Sequence, residues 1–217
     1  MNIEQARFNM VEQQVRTWDV LDQNVLGLME RAPRDEFVPD AYRTLAYADI
    51  SVPLAHDQCM LPPRIEARML QSLRIDSADR VLEIGTGSGF FTYLIAALAG
   101  HVVSVELHRE LIDSARVQLE AHNAFNVTLE QGDGVAGRAS GAPYDVIAMT
   151  GSVPILDERL ERQLSIGGRL FVVVGEAPAM GAVLIERLSE NQWRRDELFE
   201  TVIPPLTGAP SRPQFVF

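Results

Sequence analysis

The feature that most constrains the fold is the nine-residue run Val81-Leu82-Glu83-Ile84-Gly85-Thr86-Gly87-Ser88-Gly89. An apolar segment carrying one acid leads into three glycines at alternate positions, and residues 90–98 then have the composition of a helix. Glycine lets the backbone turn sharply and approach a ligand closely, and a helix N-terminus offers free N–H groups. The run therefore predicts a buried parallel strand, a glycine turn and a helix, with a ligand site at the turn.

Two further carboxylates follow predicted strands. Glu106 closes the apolar segment 101–106, roughly 20 residues after the glycine turn, where an acid can accept hydrogen bonds from a ribose diol. Asp133 and Gly134 follow the segment 126–130, where a carboxylate would lie beside an adenine amine. The spacing G-x-G-x-G differs from the G-x-G-x-x-G of dinucleotide sites. The glycine turn, Glu106 and Asp133 come in this order, each at the end of a predicted strand. Together they favour the binding of a nucleotide-type ligand over a purely structural role for these residues.

Composition narrows the class of protein. The net charge of −11 disfavours a nucleic-acid partner held by phosphate contacts. No apolar run approaches the ~20 residues of a membrane span, and no signal peptide precedes the first helix, so we expect a cytoplasmic protein. Its single cysteine, Cys59, fits a reducing compartment. The four histidines have no metal-ligand spacing with Cys59 or with each other, so no metal site is expected.

The order of predicted elements gives the fold class. Apolar residues at helical spacing predict two helices within residues 2–31, broken at 17–19, and a third helix over 64–73. Strands and helices then alternate, with strands at 81–84, 101–106, 126–130, 144–149 and 168–174, and helices at 89–98, 109–122 and 155–163. Late strands are predicted at 183–188 and 199–203. This alternation predicts an α/β fold with a doubly wound, mostly parallel sheet, whose ligands bind at the carboxyl ends of the strands.

Segments along nearly the whole chain also match one family. They are 10–16 (MVEQQVR), 32–39 (APRDEFVP), 47–49 (YAD), 81–89, 104–106 (SVE), 132–134 (GDG), 142–147 (APYDVI), 163–170 (QLSIGGRL) and 205–207 (PLT). Together they resemble the protein-L-isoaspartate O-methyltransferases. The resemblance implies a seven-stranded, Rossmann-like methyltransferase domain over residues 76–217. A helical extension with the active-site loop would occupy residues 1–75, and the two parts would form one compact unit.

The resemblance also implies a cofactor and a set of site residues. The cofactor is S-adenosyl-L-methionine. Its binding residues would be Gln58, Glu83, Gly85, Thr86, Gly87, Ser88, Gly89, Glu106, Leu107, Asp133, Gly134 and Thr207. Members of the family methylate the α-carboxylate of an L-isoaspartyl residue in damaged proteins or peptides, and the ester then closes to a succinimide. A carboxylate is already nucleophilic, so such an enzyme mainly has to align it with the methyl group and exclude water.

The active-site loop departs from the family pattern. Where the family carries G-Q-T-I-S before a proline, this chain has Asp57-Gln58-Cys59-Met60-Leu61. Cys59 replaces the threonine, and Leu61 replaces the serine to which the family's activity is assigned. Leucine has no hydroxyl to donate to a carboxylate and makes the pocket more apolar.

Three functions therefore remain open from the sequence. The first is a carboxyl methyltransferase of the isoaspartyl type with an altered loop. The second is a methyltransferase of the same fold with a different, small and apolar acceptor, and the third is a non-catalytic module that binds the cofactor. Arg64 and Arg68 share one helical face and fit either a clamp for a substrate carboxylate or a salt-bridged surface. The oligomeric state stays open.

Overall fold

The computed structural model describes residues 2–210. Its N-terminal part is helical, as predicted, and the break at residues 17–19 is confirmed by a left-handed Asp19, with φ of 57°. Asp22 starts the second helix by accepting a hydrogen bond from the Asn24 N–H at 2.8 Å. The helical elements are α1 (Ile3–Met10), a π-helical turn (Val11–Val15), a 3₁₀ turn (Arg16–Trp18), α2 (Gln23–Arg31), α3 (Arg34–Phe37) and a 3₁₀ segment (Asp40–Leu45).

A short hairpin links this part to the main sheet. Its strands β1 (Val52–Pro53) and β2 (Cys59–Met60) pair antiparallel, with Val52 opposite Met60. Helix α4 (Pro63–Leu73) follows, with a proline at its first position, where the absent N–H leaves no backbone donor unsatisfied. The loop that the sequence marks as the active-site loop is thus the second strand of this hairpin and its exit.

The main sheet has seven strands in the order β5-β4-β3-β6-β7-β8-β9. The first five are parallel and the last two are antiparallel, which confirms the predicted doubly wound, mostly parallel sheet. The strands are β3 (Arg80–Ile84), β4 (His101–Glu106), β5 (Val127–Gln131), β6 (Tyr144–Val153), β7 (Leu164–Glu176), β8 (Ala179–Ser189) and β9 (Gln192–Glu200). The helices between them are α5 (Phe90–Ala96), α6 (Arg109–Ala121) and α7 (Glu158–Arg162).

Two predicted boundaries are wrong. The last strand covers 192–200 rather than 199–203, because an edge strand pairs on one side only and its charged sequence hides the alternation. Beyond Glu200 the chain approaches Pro204 and Pro205, which cannot donate to a ladder. The helix predicted at 155–163 begins only at Glu158, after β6 has run on to Val153.

Apolar side chains cover both faces of the sheet. In β3, Val81 packs into one core with α4, α5 and the N-terminal helices, while Leu82 points to a second core that contains Leu160 of α7. Because β3 to β6 are parallel, their carboxyl ends meet at one edge of the sheet. None of the helices in residues 2–210 combines the length and apolar character needed to cross a bilayer.

Candidate active site

The glycine turn lies between β3 and α5, as the sequence predicts. Gly85, Gly87 and Gly89 have φ of 97°, 54° and 83°, a region that other residues rarely adopt. A Cβ on Gly89 would lie 2.9 Å from the Cβ of Ala115 in α6, so the turn also needs glycine for space. The turn therefore packs tightly against α6 and leaves a cleft at the carboxyl edge of the sheet.

Glu83 lies beneath this turn and is fully buried. One carboxyl oxygen, Oε2, accepts hydrogen bonds from Thr92 Oγ1 at 2.6 Å and Ser104 Oγ at 2.5 Å. The other, Oε1, has no hydrogen-bond partner among the described residues. Burial raises the pKa of Glu83 to about 8, against the lowering effect of the two hydroxyl donors. Ser104 also bonds Thr86 at 2.6 Å, so Glu83 is connected to the glycine turn through side chains.

Glu106 ends β4 beside the same turn. Its Oε2 accepts from the Gly87 N–H at 3.0 Å, and its Oε1 accepts from the His108 N–H at 3.0 Å. The carboxylate is thereby fixed between the glycine turn and the start of α6. An ionised carboxylate has about four acceptor positions, so Glu106 retains capacity for a further donor such as a diol.

A first cavity of about 360 Å³ runs along the ends of β3, β4 and β5. Leu107 offers an apolar surface there, 38% exposed. Asp133 is fixed by a hydrogen bond from the Val135 N–H at 3.0 Å. Seven of the predicted site residues line this cavity: Gln58, Gly85, Glu106, Leu107, Asp133, Gly134 and Thr207.

A second and a third cavity, of about 400 and 300 Å³, continue around the glycine turn, with Gly85 in the wall of all three. Cys59 and Leu61 line both the second and the third cavity, and Thr86 and Ser88 line the third. Glu83 and Gly89 line none of the three cavities. They are the only predicted site residues that lie behind the cavity walls.

Other lining residues were missed from the sequence. Thr150, in the last part of β6, donates to the carbonyl oxygens of Ile84 at 2.9 Å and Gly85 at 2.6 Å, and lines the second and third cavities. Its position directly after the predicted strand 144–149 is a signal that could have identified it. Leu206 and Glu66 also line the cavities. Leu206 belongs to the family-like segment 205–207, whereas nothing in the sequence around Glu66 distinguishes it.

The active-site loop rests on a buried ion pair. Arg34 pairs with Glu66 and donates through Nη2 to the Leu61 carbonyl at 2.6 Å and through Nε to the Ala46 carbonyl at 2.8 Å. Burial raises the pKa of Glu66 to about 7, although Arg34 acts in the opposite direction. Leu61 is itself only 4% exposed, and the hydrogen bond from Arg34 to its backbone carbonyl fixes the end of the loop.

Cys59 is half-buried, and burial raises the pKa of its thiol. A thiol with a raised pKa is a weak nucleophile at neutral pH. Cys59 is therefore better suited to fill the wall of the cleft than to attack a substrate.

Arg64 and Arg68 belong to the surface of the molecule. Arg64 pairs with Asp49, and its guanidinium lies 4.5 Å from the centre of the Trp18 ring. Arg68 donates to the Trp18 carbonyl at 3.1 Å and lies 5.0 Å from the Phe199 ring centre. Neither arginine lines the three cavities, which favours the salt-bridged surface over the carboxylate clamp. In residues 2–210 no three His, Cys, Asp or Glu side chains are grouped as a metal site would need.

A comparison with models of known protein families shows which family this chain belongs to. The model described as Protein-L-isoaspartate(D-aspartate) O-methyltransferase matches residues 5–210. The chain belongs to the protein-L-isoaspartate O-methyltransferase family. A relative of that name from Rhodopseudomonas palustris is 39% identical over 201 residues, covering 92% of each chain. Another from Koribacter versatilis is 39% identical over 202 residues, covering 93% of this chain and 90% of the relative.

Solved structures of the family share the fold. A protein-L-isoaspartate O-methyltransferase structure superposes with a TM-score of 0.80 at 25% identity, covering 93% of this chain and 66% of its own. A family structure from Plasmodium falciparum, in complex with S-adenosyl-L-homocysteine, superposes with a TM-score of 0.79 at 18% identity. It covers 93% of this chain and 98% of its own. The resemblance drawn from the sequence motifs is thus confirmed over nearly the whole chain.

Proposed function

We propose that the protein is an S-adenosyl-L-methionine-dependent O-methyltransferase that methylates the isoaspartyl carboxylate of damaged proteins or peptides. Family membership over residues 5–210 supports the activity. The single observation that carries the cofactor assignment is Glu106, a nearly buried carboxylate fixed at the end of β4 in the wall of the cleft.

The residues present fit this cofactor. Glu106 would accept from the ribose hydroxyls, and Leu107 with Asp133 would bracket the adenine. The second and third cavities, at Gly85, Gly87 and Thr86, would take the amino acid end. Glu83 lies behind that end, and Ser104 and Thr86 connect its carboxyl group to the glycine turn.

The chain itself has a limited chemical task. The cofactor supplies a methyl group already activated on a sulfonium. The loop of Cys59 and Leu61 faces the same cavities as Gly87 and Thr150, which supports an acceptor position beside the glycine turn. The buried Leu61 adds an apolar side chain to this wall, which helps to exclude water, and the Arg34–Glu66 pair keeps the loop in place.

Calorimetry tests the cofactor assignment. The protein should bind S-adenosylmethionine and S-adenosylhomocysteine, and Glu106→Ala should weaken binding about tenfold or more, since a hydrogen bond to a charged acceptor is worth about 1.5–3 kcal/mol. Glu120→Ala, an exposed change in α6, is the matched control and should bind normally. Binding of NAD with none of S-adenosylmethionine would overturn the proposal.

A further inference from the structure

The tip of the hairpin, residues 54–58, borders the first cavity through Gln58. The Leu54 side chain is placed against Gly87, since a Cβ there would be 3.4 Å from Leu54 Cδ1. Gln58 Nε2 donates to the His56 carbonyl at 3.0 Å and to Thr207 Oγ1 at 3.4 Å, and both Gln58 and Thr207 line the cavity. The tip therefore bridges segments that are distant in sequence and meet only over the cleft.

Two histidines attach this tip to α6. The rings of His56 and His108 stack face to face, with centroids 4.2 Å apart and planes 3° from parallel. His56 Nε2 also lies 3.1 Å from Glu110 Oε2. His108 lines the first cavity, directly after Glu106 and Leu107. We call His56, His108 and Glu110 the histidine clamp.

Two details bear on the clamp. His56 and the next residue, Asp57, have φ of 58° and 56°, a left-handed conformation that is unfavourable for residues other than glycine, so the loop would not keep this shape alone. His108 Nε2 is buried, and within residues 2–210 it has no hydrogen-bond partner. A buried polar atom in a residue that lines a cavity is one that a bound ligand or an ordered water satisfies.

We propose that the histidine clamp is a positioning element that holds the hairpin tip over the bound cofactor and slows its release. The inference rests on the proposed function, because the occupant of the first cavity is taken to be the cofactor. The stacked rings supply the contact, and the Glu110 carboxylate orients the exposed His56. Loss of the stack frees the tip and opens the cavity, while the acceptor side of the cleft is unchanged.

The test measures equilibrium affinity and dissociation rate for S-adenosylhomocysteine. His56→Ala should raise the Kd about tenfold, mainly through faster dissociation, as expected for loss of an aromatic stacking pair. His56→Phe keeps the stack and should stay within about threefold of the natural chain. His101→Ala, at the opposite end of β4, is the matched control and should change nothing.

Steady-state kinetics distinguishes a positioning role of the histidine clamp from a general loss of structure. In His56→Ala the KM for S-adenosylmethionine should rise about tenfold, with kcat within about twofold at saturation. Unchanged Kd and dissociation rate in both His56→Ala and His108→Ala would overturn the clamp while leaving the proposed function intact. Failure of the natural chain to bind S-adenosylhomocysteine would overturn both.

Discussion

Glu83 and Glu106 show that the position of a residue near the cofactor site can be predicted from the sequence, whereas its burial cannot. Each was expected near the cofactor from its place relative to the glycines, and both are close to the turn. Their environments differ: Glu106 reaches the cavity wall, whereas Glu83 is sealed behind it with a raised pKa. Burial depends on how α5 and β4 pack around β3, which no local pattern encodes.

The state of Glu83 gives a pH-dependent prediction. Its folded pKa of about 8 lies above the ordinary value of 4.5, so the folded state binds the proton more tightly than the unfolded state does. The free energy of unfolding should therefore fall as pH rises from about 5 to about 8. Glu83→Gln removes this dependence, and its stability relative to the natural chain should increase over that window by a few kcal/mol.

Chemical denaturation at pH 5, 6.5 and 8 measures the effect. Glu66, with a pKa of about 7, contributes a decline of the same sign in both proteins, and this decline cancels in the difference except for the coulombic effect between Glu66 and Glu83. Glu120→Gln on the exposed face of α6 is the control. A difference between Glu83→Gln and the natural chain that stays constant across the three pH values would show that Glu83 is already ionised in the fold.

At the scale of elements, periodicity identified the central strands and long helices because each buries one face or both. It missed the π-helical turn at Val11–Val15, which keeps a helical apolar pattern while changing the hydrogen bonds. It also misplaced the last strand, whose charged sequence gives little alternation. The hairpin β1–β2 has strands of two residues each, too short for any period to appear.

The hairpin exit carries the next prediction. Restoring the family residues, Cys59→Thr with Leu61→Ser, adds two hydroxyls at the wall of the cleft, and the one from Leu61→Ser restores the donor to which the family's activity is assigned. A hydrogen bond to a charged acceptor is worth about 1.5–3 kcal/mol, so isoaspartyl kcat/KM should rise roughly ten- to a hundredfold. Affinity for S-adenosylhomocysteine should change by less than about threefold, because the first cavity, which would hold the ribose and the adenine, is untouched.

Leu61→Ala is the matched control for this pair. It opens similar space but adds no hydroxyl, and it should not increase turnover. Because the Leu61 backbone carbonyl is held by Arg34, the loop should keep its position in both variants. Equal gains from alanine and serine would attribute the effect to space, and no gain from serine would refute the hydroxyl argument.

At the scale of the whole molecule, the sequence predicted that the glycine turn, Glu106 and Asp133 would lie close together. Parallel strands place their carboxyl ends at one edge of the sheet. The structure brings Glu106, Asp133 and Thr207 into one cavity, as the motifs and the family resemblance indicated. It adds contacts between Gln58 and Thr207, and between His56 and Glu110, that join segments far apart in the chain. Such contacts arise only when the hairpin folds over the sheet, so a single sequence could not predict them.

The most direct measurement is transfer of labelled methyl from S-adenosylmethionine to a peptide containing one L-isoaspartyl residue. The same peptide with an ordinary aspartyl residue is the control. We expect base-labile methyl ester on the isoaspartyl peptide alone, formed slowly by the natural chain and faster after Cys59→Thr with Leu61→Ser. No transfer to the isoaspartyl peptide by either form, while both bind the cofactor, would contradict the account and indicate a different acceptor.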